Sequence, residues 1–264
     1  MADNEIGMSS AAPTLERPQL SEAELERRRG KPWTLRVVGV ADVTPRMRRV
    51  QLTADNLDGF EPKPGQEIVL QIPQPGEPAR RHYTIRRFDA KSRLIDVDFV
   101  LHDHDTPGVQ WAREARPGQS IDIRGPRGRI ALAPADWHLL TGDETAIPAI
   151  LAVLESLPAG AKAHVFIEIG SDADKQEVKS AAAVALTWIS RNGVAPGPSH
   201  LMLKTVQHFA LPPGRGSAII IGETSNVRAQ RHDLIARGLD KGQIFAEGYW
   251  RPGRIGGHDH VDRD

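Results

Sequence analysis

Between Trp33 and Ala133 the chain carries short runs rich in Val, Ile and Leu: WTLRVVGV, RRVQLTA, QEIVLQI, HYTIRRF, RLIDVDFVL, QSIDIRG and RIALA. Runs of this length and composition read as strands. Pro64-Gly65, Pro75-Gly76, Pro107-Gly108 and Pro117-Gly118 punctuate them as turns. Short strands so closely spaced predict an antiparallel barrel or sandwich. After Pro134 the rhythm changes. WHLLTG reads as a strand ending in glycine, and AIPAILAVLESL as a helix with Pro148 in its first turn, where a missing N–H is tolerated. KAHVFIEIG and LTWISRN follow as strands, SHLMLKTVQHF as a helix and SAIIIGE as a continuous apolar strand. SNVRAQRHDLIARG is a helix stopped at Gly238, and QIFAEGYW is a last strand. Strands alternating with helices predict βαβ units and a mostly parallel sheet.

The expected fold class is an N-terminal antiparallel β-barrel followed by a nucleotide-binding-type α/β domain. The barrel is assigned to 31–133 and the α/β domain to 134–254. A flexible arm, with SEAELERRR as a short charged helix, occupies 1–30, and a polar tail expected to be disordered occupies 255–264.

Composition narrows the partners. The 264 residues hold 34 Lys and Arg against 34 Asp and Glu, so no global field draws in nucleic acid or a membrane. Anion binding must therefore come from local clusters. There is no cysteine, which excludes disulfides, thiolate zinc and cysteine-ligated iron–sulfur clusters. The opening stretch MADNEIGMSSAAPTLERPQL lacks an apolar core, no run is long enough to cross a bilayer, and a cytoplasmic monomer is expected.

The densest local cluster is RRHYTIRRFD at 80–89, where one of only two tyrosines sits among four arginines and a histidine. Arginines this close repel unless an anion or acidic partners lie between them. Alternation puts Arg81, Tyr83 and Ile85 on one face and Thr84 on the other. Taken alone, the segment is an ordinary barrel strand with solvated arginines. VLHDHDTPGVQWA sets two histidines and two aspartates within four residues, a composition shared by metal sites and by solvated turns. In GDETAIPAI, Asp143 and Glu144 face the positive end of a helix, and Thr145 is a candidate cap. No G-x-G-x-x-G occurs. The terminal HDHVDRD has metal-ligating residue types but is given no function, and no metal site is assigned.

A barrel followed by an α/β domain is the order of ferredoxin-reductase-like flavoproteins. From Trp33 to Arg254 the chain resembles the siderophore-interacting protein family, FAD-containing ferric-siderophore reductases. The resemblance rests on VTPRMRRVQL, Arg-x-Tyr-Thr-x-Arg, DVDFVLH with its Pro-Gly turn and QWA, GPRG, GDETAIPAI, IIIGE and GYWR in that order. It implies a barrel that binds FAD. Arg81 would meet the pyrophosphate, Tyr83 would stack on the flavin, and Thr84 would bond near its reactive edge, with His82 and Arg86 alongside. His102 would contact FAD, and Thr106, Gly108 and Val109 would present backbone N–H groups to the pyrophosphate ahead of Trp111 and Ala112. Asp143, Glu144 and Thr145 would face the flavin edge or the nicotinamide, and Tyr249 or Trp250 would cover the flavin. Anionic ferric siderophore would be drawn by arginines at the pocket mouth, Arg127 first, then Arg46, Arg48, Arg49, Arg80 and Arg87.

The implied chemistry is transfer of electrons from NADH, NADPH or ferredoxin through FAD to iron(III), with no catalytic side chain beyond the flavin. Glu168, near the end of the second α/β strand, leans toward NADH by suiting a ribose diol. The alternatives are an FAD-dependent reductase with another acceptor and a non-catalytic ferric-chelate carrier.

Overall fold

The computed structural model describes residues 21, 30–102, 105–128, 130, 132–254, 256 and 258–261. Apart from Ser21, the helix expected in SEAELERRR lies outside the described residues. No helix among the described residues is long and apolar enough to cross a membrane.

Six strands come first: β1 (Pro32–Thr44), β2 (Met47–Thr53), β3 (Glu67–Ile72), β4 (Ala79–Asp89), β5 (Leu94–Val100) and β6 (Ser120–Arg127). Helix α1 (Pro107–Glu114) lies between the last two. The strands close into an antiparallel barrel in the order β1-β2-β5-β4-β3-β6. Period-two alternation sends Leu35 and Val37 of β1, Val50 and Leu52 of β2, and Ile121 and Ile123 of β6 into one buried core. Each such side chain contributes roughly 1.5–3 kcal/mol by leaving water.

The described residues of RIALA, Ile130, Leu132 and Ala133, belong to no strand. β6, the strand before it, is already paired with β1 on one side and β3 on the other. Ile130 and Leu132 pack instead on the core of the second domain.

One seam of the barrel is incomplete. β4 pairs with β3 over Ala79–Thr84 but meets β5 only from Ile85 onward, with a register shift between Ile85 and Arg87. β5 in turn pairs with β4 at Leu94–Val97, whereas Asp98–Val100 pair only with β2. The two strands therefore diverge at Thr84 and Asp98, leaving backbone edges on both sides of an opening.

The second domain contains β7 (Trp137–Gly142), α2 (Ile147–Ser156), β8 (Lys162–Ile169), β9 (Ala183–Ser190), α3 (Leu201–His208), β10 (Gly216–Glu223), α4 (Thr224–Ala236) and β11 (Ile244–Trp250). Its sheet is wholly parallel in the order β11-β10-β7-β8-β9, so the chain direction across the sheet reverses between β7 and β10. β10, flanked by β11 and β7, is buried at all eight positions, which explains its unbroken apolar run. Helix α2 is buried from Ile147 to Leu154 because it is covered on one side by its own sheet and on another by β4. Arg86 of β4 grips Glu155 at the end of α2 through two hydrogen bonds of 3.0 and 2.6 Å.

The expected disorder of the tail does not hold for residues 258–261. Asp259 exchanges two backbone hydrogen bonds with Gly248 of β11 (2.9 and 2.8 Å), and Val261 is buried in the core beneath β10 and α4. One apolar residue and a bridge to a strand anchor a segment whose composition is otherwise polar.

Candidate functional site

The divergence of β4 from β5 opens a cleft enclosing about 670 Å³ of space continuous with solvent. Arg81, His82, Tyr83 and Thr84 line it from β4, and Asp98 and Val100 from β5. His102 and Val109 enter from the α1 side, Thr145 and Pro148 from the start of α2, and Tyr249 and His258 from the far end of the chain. Tyr83 and Thr84 both line this space, although simple alternation would put them on opposite faces of the strand.

Tyr83 packs its ring 4.1 Å from that of Phe99, centroid to centroid. Its hydroxyl lies so close to Gly108 that a Cβ there would fall 2.0 Å from the oxygen. Glycine at 108 is what lets α1 close on the tyrosine. Arg81 has no carboxylate partner among the described residues; one guanidinium nitrogen donates to the Arg80 carbonyl at 2.8 Å, and Gly256 passes beside it. Tyr249 stacks on His258 at 4.7 Å with 14° between the planes, and Thr84 is its hydrogen-bonding neighbour. Burial pushes both phenols well above the ordinary tyrosine range, with Glu247 and Glu67 adding to the effect at Tyr249 and Arg81 opposing it at Tyr83. Both stay neutral.

A second group of charges fills the carboxyl ends of the parallel strands, where β7 and β10 diverge. Asp143 is saturated: it accepts from Thr145 N (2.9 Å) and the Thr145 hydroxyl, and from Glu223 N and the Trp250 indole (both 2.9 Å). Gly222 leaves room for it, since a Cβ there would stand 2.6 Å from Asp143 Oδ2. Burial, reinforced by Glu144, raises the Asp143 carboxyl to about 6. Glu144 and Glu168 are both buried and share Arg191, which also makes a 2.9 Å bond to Glu144 and a 3.2 Å bond to Glu168. The Ser199 hydroxyl donates to Glu168 at 3.3 Å.

The structure thus gathers Arg81, His82, Tyr83, Thr84, His102, Val109, Thr145 and Tyr249 around one cleft, with Gly108 against Tyr83 and Thr106 at the start of α1. It separates others. Arg86 is bound to Glu155, Ala112 and Trp111 pack on the barrel core, and Trp250 donates to Asp143, leaving Tyr249 as the C-terminal aromatic of the cleft. Asp143 and Glu144 serve the buried network. Glu168 is held by Arg191 and Ser199, so the lean toward NADH through a free ribose ligand loses its basis.

Among the arginines, Arg48 pairs with Asp42 (2.9 Å), Arg49 with Asp98 (2.7 Å), and Arg46 packs beside Gly170. Arg127 lies next to the cleft, its Nε 3.3 Å from Glu67 Oε1. The sequence reading missed Glu67, Asp98 and His258. Asp98 had a signal in the alternation of DVDFV, where Asp96 and Asp98 share a face with each other and meet Arg49.

An antiparallel barrel joined to a parallel α/β sheet is a fold found in ferredoxin reductases. A ferredoxin NADP+ reductase from Neisseria gonorrhoeae shares this fold at TM-score 0.64 and 14% identity, over 84% of this chain and 100% of that one. A family model described as "Siderophore-interacting protein" matches residues 135–253, and one described as "Siderophore-interacting FAD-binding domain" matches 69–130. Ferric vibriobactin reductase ViuB of Vibrio cholerae is 34% identical over 249 residues, covering 84% of this chain and 90% of that protein. The crystal structure of a siderophore utilization protein from T. fusca superposes at TM-score 0.81 with 35% identity, over 87% of this chain and 96% of that one. The chain belongs to the siderophore-interacting protein family.

Two outcomes follow from this geometry. Gly108→Ala forces Tyr83 or α1 to move and should lower stability by about 1–3 kcal/mol, measured by denaturant unfolding and accompanied by a changed near-UV tyrosine signal. Asp143 titrates near 6 when folded, against 3.8 as an unperturbed carboxyl, so the folded protein takes up a proton between those values. Its contribution therefore becomes more favourable as pH falls from 7.5 to 5, by roughly 1 kcal/mol. Asp143→Asn should lack that increment when the two proteins are unfolded at both pH values.

Proposed function

We propose that this chain is a flavin-dependent ferric-siderophore reductase whose FAD lies in the cleft between β4 and β5. The observation that carries the reading is the open seam itself. It sets an aromatic face, an arginine free of carboxylate partners among the described residues, and unpaired strand edges around one space. These residues fit FAD. Arg81 supplies the bidentate charge a pyrophosphate needs. Tyr83 offers a flat wall, Gly108 brings the N-terminus of α1 close to it, and Tyr249 faces the cleft from the opposite domain.

Because both phenols are held neutral, neither adds negative charge beside the ring system. When bound, FAD supplies the conversion of a two-electron hydride into electrons delivered singly. Iron(III) in a siderophore is held by hard, often anionic oxygens that hold iron(II) far less tightly, so one electron per metal releases it. No general acid or nucleophile is required of the protein. Arg127, at the cleft mouth, attracts the anionic chelate. The electron donor is NADH, NADPH or a ferredoxin, and the proposed setting is a cytoplasmic monomer.

The test is anaerobic iron release. Purified protein loaded with FAD is given a ferric catecholate or hydroxamate and each donor in turn, and iron(II) is trapped by a ferrous-specific dye. Donor-dependent iron(II) is expected with at least one pairing. Arg81→Ala should lose bound flavin and activity together. Arg127→Ala should keep its flavin absorption while KM for the ferric chelate rises roughly 10- to 100-fold, the loss of one charge-assisted contact. A chain that binds no FAD overturns the reading, and a flavin-loaded chain that reduces other acceptors but no ferric chelate overturns the substrate.

A further inference from the structure

We propose that Glu67, His82 and His258, with Glu247 and His260 at the outer side, form a binding site for a divalent first-row transition-metal ion. The cluster stands at the edge of the cleft and is assembled from three distant stretches: Glu67 from β3, His82 from the facing strand β4, and His258 from the C-terminal tail. One ligand atom from each of Glu67, His82 and His258 lies within 4.8 Å of the others. Glu67 Oε1 is 2.7 Å from His82 Nδ1, and Glu67 Oε2 is 3.5 Å from His258 Nδ1. Metal–ligand bonds of about 2.0–2.2 Å place neighbouring ligand atoms roughly 3.0–3.5 Å apart in tetrahedral or octahedral shells. The Glu67–His258 separation already lies at the upper end of that range, and the 2.7 Å hydrogen bond between Glu67 and His82 would open by a few tenths of an ångström as the ion enters.

The outer groups continue the pattern. Glu247 Oε1 lies 3.4 Å from His258 Nδ1 and 3.2 Å from His260 Nδ1. Three imidazoles and two carboxylates thus adjoin one another, a donor set that suits iron(II), cobalt(II), zinc or nickel rather than calcium or magnesium. The inner three side chains are only 13–20% exposed, so they are held by packing and do not wander in solvent. His258 is fixed further by its stack on Tyr249 and by the backbone bridge of the next residue to Gly248.

Arg127 shares Glu67 Oε1 at 3.3 Å, and an entering cation would have to displace it from that oxygen. The guanidinium would then be free for an anionic chelate. Resting on the reductase reading, this makes iron(II) the natural ion, released beside Arg127 and received by the histidine–glutamate cluster. Metal binding itself needs no flavin chemistry and is tested apart from it.

The experiment is titration of tag-free, FAD-loaded protein with cobalt(II) chloride, following the visible ligand-field bands, with zinc(II) and anaerobic iron(II) as competitors. One cobalt per chain is expected, displaced by both competitors. His258→Gln and Glu67→Gln should each weaken binding by at least tenfold and His260→Gln by less, while His232→Gln, on α4, leaves it unchanged. Unaltered circular dichroism in each variant separates loss of ligands from loss of fold. If wild type binds no cobalt, or if His258→Gln and Glu67→Gln bind it as wild type does, the site is refuted even where ferric chelates are reduced. Cobalt binding of the expected kind in a protein that reduces no ferric chelate keeps the site and removes iron(II) release as its source.

Discussion

The structure depends on a change of partner by one strand. A six-stranded barrel that paired along every seam would present the cleft side only with side chains, and its backbone would be fully used. Here β4 gives its first half to β3 and only its second half to β5, and β5 gives its last residues to β2 alone. The hydrogen bonds not made between Ala79–Thr84 and Asp98–Val100 leave polar edges where a cofactor with its own donors and acceptors fits. Tyr83 and Thr84, at the end of the stretch not paired with β5, both line that space. Fold and site are one feature seen at two scales.

The second domain closes the cleft and leaves its own crevice occupied. Open α/β sheets offer ligand space at the carboxyl ends of their strands, at the switch point. In this chain that place holds Glu144 and Glu168 around Arg191, with Asp143 bonded beside them to Thr145, Glu223 N and Trp250. A buried pair of carboxylates on one guanidinium is stable only as a set, because removing any charge leaves the others unpaired at a cost of several kcal/mol. The network fixes the loop that begins α2, and thereby Thr145 and Pro148 on the cleft wall. Arg86 with Glu155 ties the same helix to β4, so both walls are referred to one rigid element.

Much of this was legible in the chain. Alternating runs specify β1 to β6, and an all-apolar helix between apolar strands specifies the layered second domain, because both patterns are local consequences of burial. Arg81, Tyr83, Thr84 and Tyr249 were placed together by motif resemblance, and the cleft brings them together. What escaped depends on pairing between distant segments. RIALA has strand composition, yet its described residues Ile130 and Leu132 pack on the core of the second domain. Arg86 reads as a cofactor-site residue, yet its partner is a carboxylate 69 residues away. Glu168 resembles a ribose ligand until Arg191 and Ser199 are seen beside it. The tail reads as disordered because a single buried Val261 and one backbone bridge leave almost no periodic signal.

Hydrogen exchange read by mass spectrometry, with and without FAD, tests the central claim most directly. The account predicts new protection in peptides covering 79–84, 98–102 and the start of α1, and none at the carboxyl ends of β8 and β10. Protection confined to the β8 and β10 ends, or no change along β4, would contradict it and place the cofactor elsewhere on the molecule.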